Sequence, residues 1–99
     1  GAGIVDVDER QISYFGPHDG GVVALEDLIR ISTVPRHSWE LVDVQGTRVT
    51  IPVDAEGTEA LFDAFSALPG LSTSRLADAA RVRPVDRTTV WEKPRRRLS

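Results

Sequence analysis

The chain contains no cysteine, which excludes disulfides, thiolate metal sites and a cysteine nucleophile and leaves the redox compartment open. It contains no methionine either, not even at residue 1. A translated protein begins with methionine, so the expectation is a processed form or an excised piece, with residues 1–3, Gly1-Ala2-Gly3, reading as a cloning scar. A membrane anchor or signal segment ahead of residue 1 is compatible with that start. Lysine is reduced to Lys93, and the other basic residues are arginine, the mark of GC-rich coding bias. No apolar run approaches the ~20 residues that a spanning helix needs.

What is present is ordinary for a folded domain: 99 residues, 40% hydrophobic, 27% charged. That length holds one domain and one modest core. The net charge of -3 conceals an asymmetry. Residues 1–69 carry four basic and twelve acidic side chains, a net -8, and residues 70–99 carry eight basic and three acidic, a net +5. An acidic body of this kind argues against nucleic acid as the main partner.

Apolar alternation sets the first half. Ile4-Val5-Asp6-Val7-Asp8 and Ile12-Ser13-Tyr14-Phe15 flank a short polar break and predict a hairpin. Gly16-Pro17-His18-Asp19-Gly20-Gly21 is a loop, and Val22–Leu25 and Leu28–Val34 follow as β-rich runs. Pro35–Ser38 is a turn. Trp39–Asp43 and Arg48–Val53 form a further hairpin, with Pro52 at an edge or a strand end. About six strands over residues 4–53, each neighbouring the last, predict an antiparallel meander. The period then changes. Asp54 can cap a helix over 55–68, whose stripe is Leu61, Phe65 and Leu68, widened by Phe62; Pro69-Gly70 ends it. Ser72 opens a second helix over 73–82, with Leu71 and Leu76 placed as a hydrophobic staple. A late strand over 87–92 returns to the sheet, and 94–99 is a basic tail.

No catalytic constellation is legible. His18 and His37 are the only histidines, both in turns, and His18-Asp19 is the one local pairing. No serine sits in a nucleophile elbow. The glycine-rich loop lacks the lysine and following helix of a phosphate loop. No metal and no cofactor are expected. Arg95, Arg96 and Arg97 form the only basic run, with Trp91 upstream, and could add loose affinity for phosphate groups or anionic lipid. Tyr14-Phe15 places aromatics on both faces of one strand, so one of the two is a candidate for exposure. The candidate contact surface is therefore Tyr14, Phe15, Trp91, Arg95, Arg96 and Arg97.

The strand order, with Val23-Ala24-Leu25-Glu26-Asp27-Leu28-Ile29-Arg30-Ile31, the Trp39–Val53 hairpin and the helix after it, resembles the pleckstrin-homology-like architecture over residues 4–69. More closely, Ile12-Ser13-Tyr14-Phe15-Gly16-Pro17 with Gly20–Leu25 is similar to small alphaproteobacterial proteins of no assigned activity, in which the domain can follow an N-terminal hydrophobic segment. That resemblance brings no functional residues. The chain departs from the lipid-binding pleckstrin pattern, because its first hairpin offers Arg10 alone amid Asp6, Asp8 and Glu9, so phosphoinositide binding is not expected.

The expected fold is thus one α+β domain over 4–93, an antiparallel meander forming a partly closed pleckstrin-homology-like sheet or barrel, capped by a C-terminal helix. The expected role is a non-catalytic protein-interaction or assembly module, pairing with a protein partner or a second copy through a sheet edge. It is placed in the cytoplasm, with membrane contact only through a segment ahead of residue 1 or the basic tail. No specific nucleic-acid partner is expected. One alternative is a ligand-binding or enzymatic pocket between sheet and helix, with His18, Asp19, Arg36 or Arg48 the first residues to inspect; a second is contact with anionic lipid or nucleic acid through the basic tail.

Overall fold

The structure, a computed structural model, describes residues 2–82 and 85–94. Alternation in the first half produces β1 (Ile4–Asp8), β2 (Gln11–Phe15) and β3 (Gly20–Ala24), an antiparallel sheet in the order β1-β2-β3. A second antiparallel sheet holds β4 (Leu28–Val34), β5 (Ser38–Asp43), β6 (Arg48–Pro52) and β7 (Thr88–Glu92) in the order β6-β5-β4-β7. Two helices lie between β6 and β7 in the chain: α1 (Glu59–Ser66) and α2 (Thr73–Arg81). The fold is α+β.

The expected single meander is corrected to two sheets, and neither closes into a barrel. The break falls at Leu25–Asp27, which winds into a single 3-10 turn instead of a hairpin. Its first amide is held back by the β1–β2 turn, where Leu25 N donates to the Arg10 carbonyl at 2.8 Å. The chain therefore leaves the first sheet in a new direction. β3 runs beside β6 without joining its ladder. Gly21 sets that approach, since a Cβ there would come within 2.7 Å of Val49 Cγ2.

One core serves both sheets and both helices. Val5, Ile12, Tyr14 and Val23 enter it from the first sheet, and Ile31, Trp39, Leu41, Val49 and Ile51 from the second. On α1 the predicted stripe is buried as Leu61, Phe65 and, just beyond the helix, Leu68. Trp39 meets Phe62 and Phe65 edge-on, with ring centroids 6.1 and 6.0 Å apart, the geometry that the ring quadrupoles favour.

α1 starts at Glu59 rather than near residue 55, and Asp54 does not cap it. The backbone of 55–57 is engaged elsewhere. Val5 N donates to the Glu56 carbonyl at 2.7 Å and Glu56 N to the Gly3 carbonyl at 2.9 Å, forming a bridge on the free side of β1. Gly57 completes this detour at φ +89°, with the Val5 carbonyl occupying the space a Cβ would need. Ala2 and Gly3, set aside in the sequence as a scar, thus take part in the packing. α2 begins as predicted: Ser72 Oγ accepts from Arg75 N at 3.3 Å, and Leu71 packs against the core beside buried Leu76. Among the described residues no helix is long and apolar enough to cross a membrane.

Candidate interaction surface on the three-stranded sheet

Strand parity sorts the first sheet into two faces. Cross-strand partners share a face, and the register pairs Ile4 with Phe15, Asp6 with Ser13, and Ser13 with Val22. Val5, Ile12, Tyr14 and Val23 point into the core. The opposite face carries Ile4, Asp6 and Asp8 from β1, Gln11, Ser13 and Phe15 from β2, and Val22 from β3. Three large apolar side chains stand in solvent there: Phe15 is 62% exposed, Ile4 50% and Val22 47%. Ile4 lies directly across from Phe15, and Val22 sits one diagonal step away. Scattered exposed apolar residues are normal; three adjoining ones on one sheet face are a patch.

Beside Phe15 the patch runs into an open cleft of about 520 Å³, lined by Gly3, Ile4, Phe15, Pro17, Asp54 and Glu56. The β2–β3 loop that forms one wall is closed by Gly16 N donating to the Asp19 carbonyl at 2.8 Å. Beneath it, Tyr14 is buried, and its hydroxyl donates to the Ala2 carbonyl at 2.7 Å. Burial raises the Tyr14 phenol above its ordinary value of 10.0, and the carboxylates of Asp19 and Asp54 add to the rise. Asp19, Asp54 and Glu56 are all exposed. The cleft thus has an apolar aromatic wall and an anionic rim.

Of the residues predicted to form a contact surface, Phe15 is exposed as proposed. Tyr14 and Trp91 are not available for contact: both are core residues, 3% and 4% exposed. Trp91 Nε1 donates to the Pro69 carbonyl at 2.8 Å, so the indole fastens the α1–α2 connection to β7. Arg95, Arg96 and Arg97 lie outside the described residues. Ile4 and Val22 were missed, although the signal was present. Ile4 shares its parity with Asp6 and Asp8, so the alternation itself assigns it to the polar side.

The residues named for a pocket do not converge. His18 and Asp19 lie in the β2–β3 loop, Arg36 in the β4–β5 turn and Arg48 on β6. A cleft between sheet and helix does exist, about 290 Å³ between α2 and β7, but Thr33, Arg75, Asp78, Ala79 and Val90 are among its lining and none of those four. Arg48 instead reaches Glu40 on β5 at 3.4 Å, and Arg87 grips the same carboxylate through Nε at 3.0 Å and Nη2 at 2.8 Å. Among the described residues no group of three or more His, Cys, Asp or Glu is placed to hold a metal ion. Comparison with protein-family models, with curated proteins and with solved structures finds no match for this chain.

Proposed function

We propose that the chain is a non-catalytic protein-interaction module whose contact surface is the outer face of the three-stranded sheet. The observation that carries this is the adjoining trio Ile4, Phe15 and Val22, left in solvent on a sheet whose other face is fully committed to the core. The chemistry of the rim selects the partner. Asp54 and Glu56 border the cleft beside Phe15, so a basic side chain there finds carboxylates and the face of a phenyl ring together. A cation over an exposed ring is worth about 0.5–1 kcal/mol, and the flanking apolar side chains bury Ile4 and Val22. The expected ligand is a protein segment with an arginine or lysine next to an aliphatic or aromatic residue. This face is favoured over strand pairing at the β1 or β6 edge, because Glu56 already bridges the free side of β1 and Pro52 removes an amide from β6. The likeness of residues 4–69 to the pleckstrin-homology-like architecture agrees with a binding scaffold, and the reading does not depend on it.

Selection of random peptides displayed on phage against the immobilised chain tests the proposal. Enrichment of basic–apolar sequences that no longer bind Phe15→Ser, and that bind Glu56→Lys more weakly, is the expected result. Enriched peptides that bind Phe15→Ser as well as the parent chain would remove this surface from consideration.

A further inference from the structure

The outer face of the four-stranded sheet carries a second arrangement, independent of the surface just described. Its register places Arg48, Val42, Arg30 and Glu92 in one row across β6, β5, β4 and β7, and Thr50, Glu40, Ser32 and Thr89 in the next. Arg87 joins them from the approach to β7 through its paired contacts with Glu40. Adjacent strands are about 4.8 Å apart, so Arg30 and Arg48 stand roughly 10 Å apart across Val42, within reach of one small ion held between their guanidinium groups.

The charges on this face do not cancel. Among the described residues three arginines, Arg30, Arg48 and Arg87, share it with two carboxylates, Glu40 and Glu92. Glu40 is buried, with both of its oxygens taken by Arg87 and one also facing Arg48. It thereby fixes two guanidinium groups that are each about half exposed, with side-chain exposures of 55% and 53%. Arg30 has no such anchor, and its Nε is buried without a hydrogen-bond partner among the described residues. Ser32, two residues along β4 on the same face, is 0% exposed, and its hydroxyl is also without a partner. Buried donors are nearly always satisfied in folded proteins. A face with excess guanidinium charge and two half-exposed guanidinium groups already held in place is what a small oxyanion requires.

We propose that Arg30 and Arg48, with Arg87 alongside, form a binding site for a phosphate-class oxyanion on the outer side of this face. Guanidinium forks match its oxygens.

The site is tested by titrating the isotope-labelled chain with inorganic phosphate at constant ionic strength, following the arginine Nε–H resonances by NMR. Saturable shifts of Arg30 and Arg48, absent with chloride alone, are expected. Arg48→Gln should weaken binding about tenfold, the loss of one charge-assisted hydrogen bond, while Arg81→Gln on α2 leaves it unchanged and the amide spectra of both variants stay folded. A parallel titration with glycerol phosphate separates the two sources of the ligand: tighter binding than inorganic phosphate assigns the site to a phosphorylated small molecule, and weaker binding to the free ion. Shifts that grow linearly and equal those of chloride, or equal affinities for Arg48→Gln and Arg81→Gln, would overturn the proposal.

Discussion

On the outer face of the three-stranded sheet Ile4, Phe15 and Val22 stand in water, whereas on that of the four-stranded sheet Ser32, Ser38, Glu40 and Val42 are buried. Both sheets turn their other side to the same core. The difference comes from what each outer face can find within the chain. Glu40 has Arg48 on the next strand and Arg87 from 47 residues away, so the four-stranded sheet pairs its buried carboxylate with its own side chains. The three-stranded sheet has carboxylates around its apolar patch and Arg10 as the single basic residue of its hairpins. One face therefore holds a buried carboxylate by ion pairs, and the other leaves apolar side chains in water.

The largest effect is expected on the four-stranded sheet. Arg87→Ala leaves the buried Glu40 carboxylate with Arg48 alone, and stranding a buried charge costs 3–5 kcal/mol when nothing compensates. Because Arg87 is half exposed and Arg48 remains, the expected loss is about 2 kcal/mol, read as a fall in the urea midpoint at unchanged slope. An unchanged midpoint would mean that this face contributes no more to folding than the other.

Tyr14 gives the next effect, since it lies beneath the exposed patch but belongs to the core. Its folded-state pKa is raised above 10.0, so the folded chain keeps its proton where the unfolded chain has lost it. The associated stability is complete below about 10 and declines as pH rises from there through the higher folded value. Tyr14→Phe should lose about 1 kcal/mol at neutral pH with the hydrogen bond to the Ala2 carbonyl, and its stability should decline less above pH 10. Unfolding curves of both proteins from pH 8 to 11 measure this; parallel declines would contradict it.

Much of the architecture was legible because alternation and helical spacing are local. The β1–β2 hairpin, the late strand, the Leu61–Phe65–Leu68 stripe and the Ser72 cap all follow from neighbours within a few residues. What was illegible depends on distant partners. Asp54 has the chemistry of a cap, yet the β1 edge claims the backbone of residue 56 first. A run of strands reads equally well as one meander or as two sheets, and the choice was made by the 3-10 turn at Leu25–Asp27 packing back on Arg10. The surface was half legible. Phe15 was singled out, but Trp91 was offered beside it because nothing near it in sequence announces the Pro69 carbonyl that takes its N–H. The burial of Glu40 was hidden for the same reason.

Phe15→Ser, assayed for unfolding and for binding on the same preparation, tests the contrast between the two faces most directly. A 62% exposed ring paired across the strands with Ile4 contributes less than about 1 kcal/mol to the fold. The urea midpoint should therefore stay near that of the parent chain while affinity for a selected basic–apolar peptide disappears. A large fall in the midpoint, or retained peptide affinity, would contradict a face kept clear for a partner.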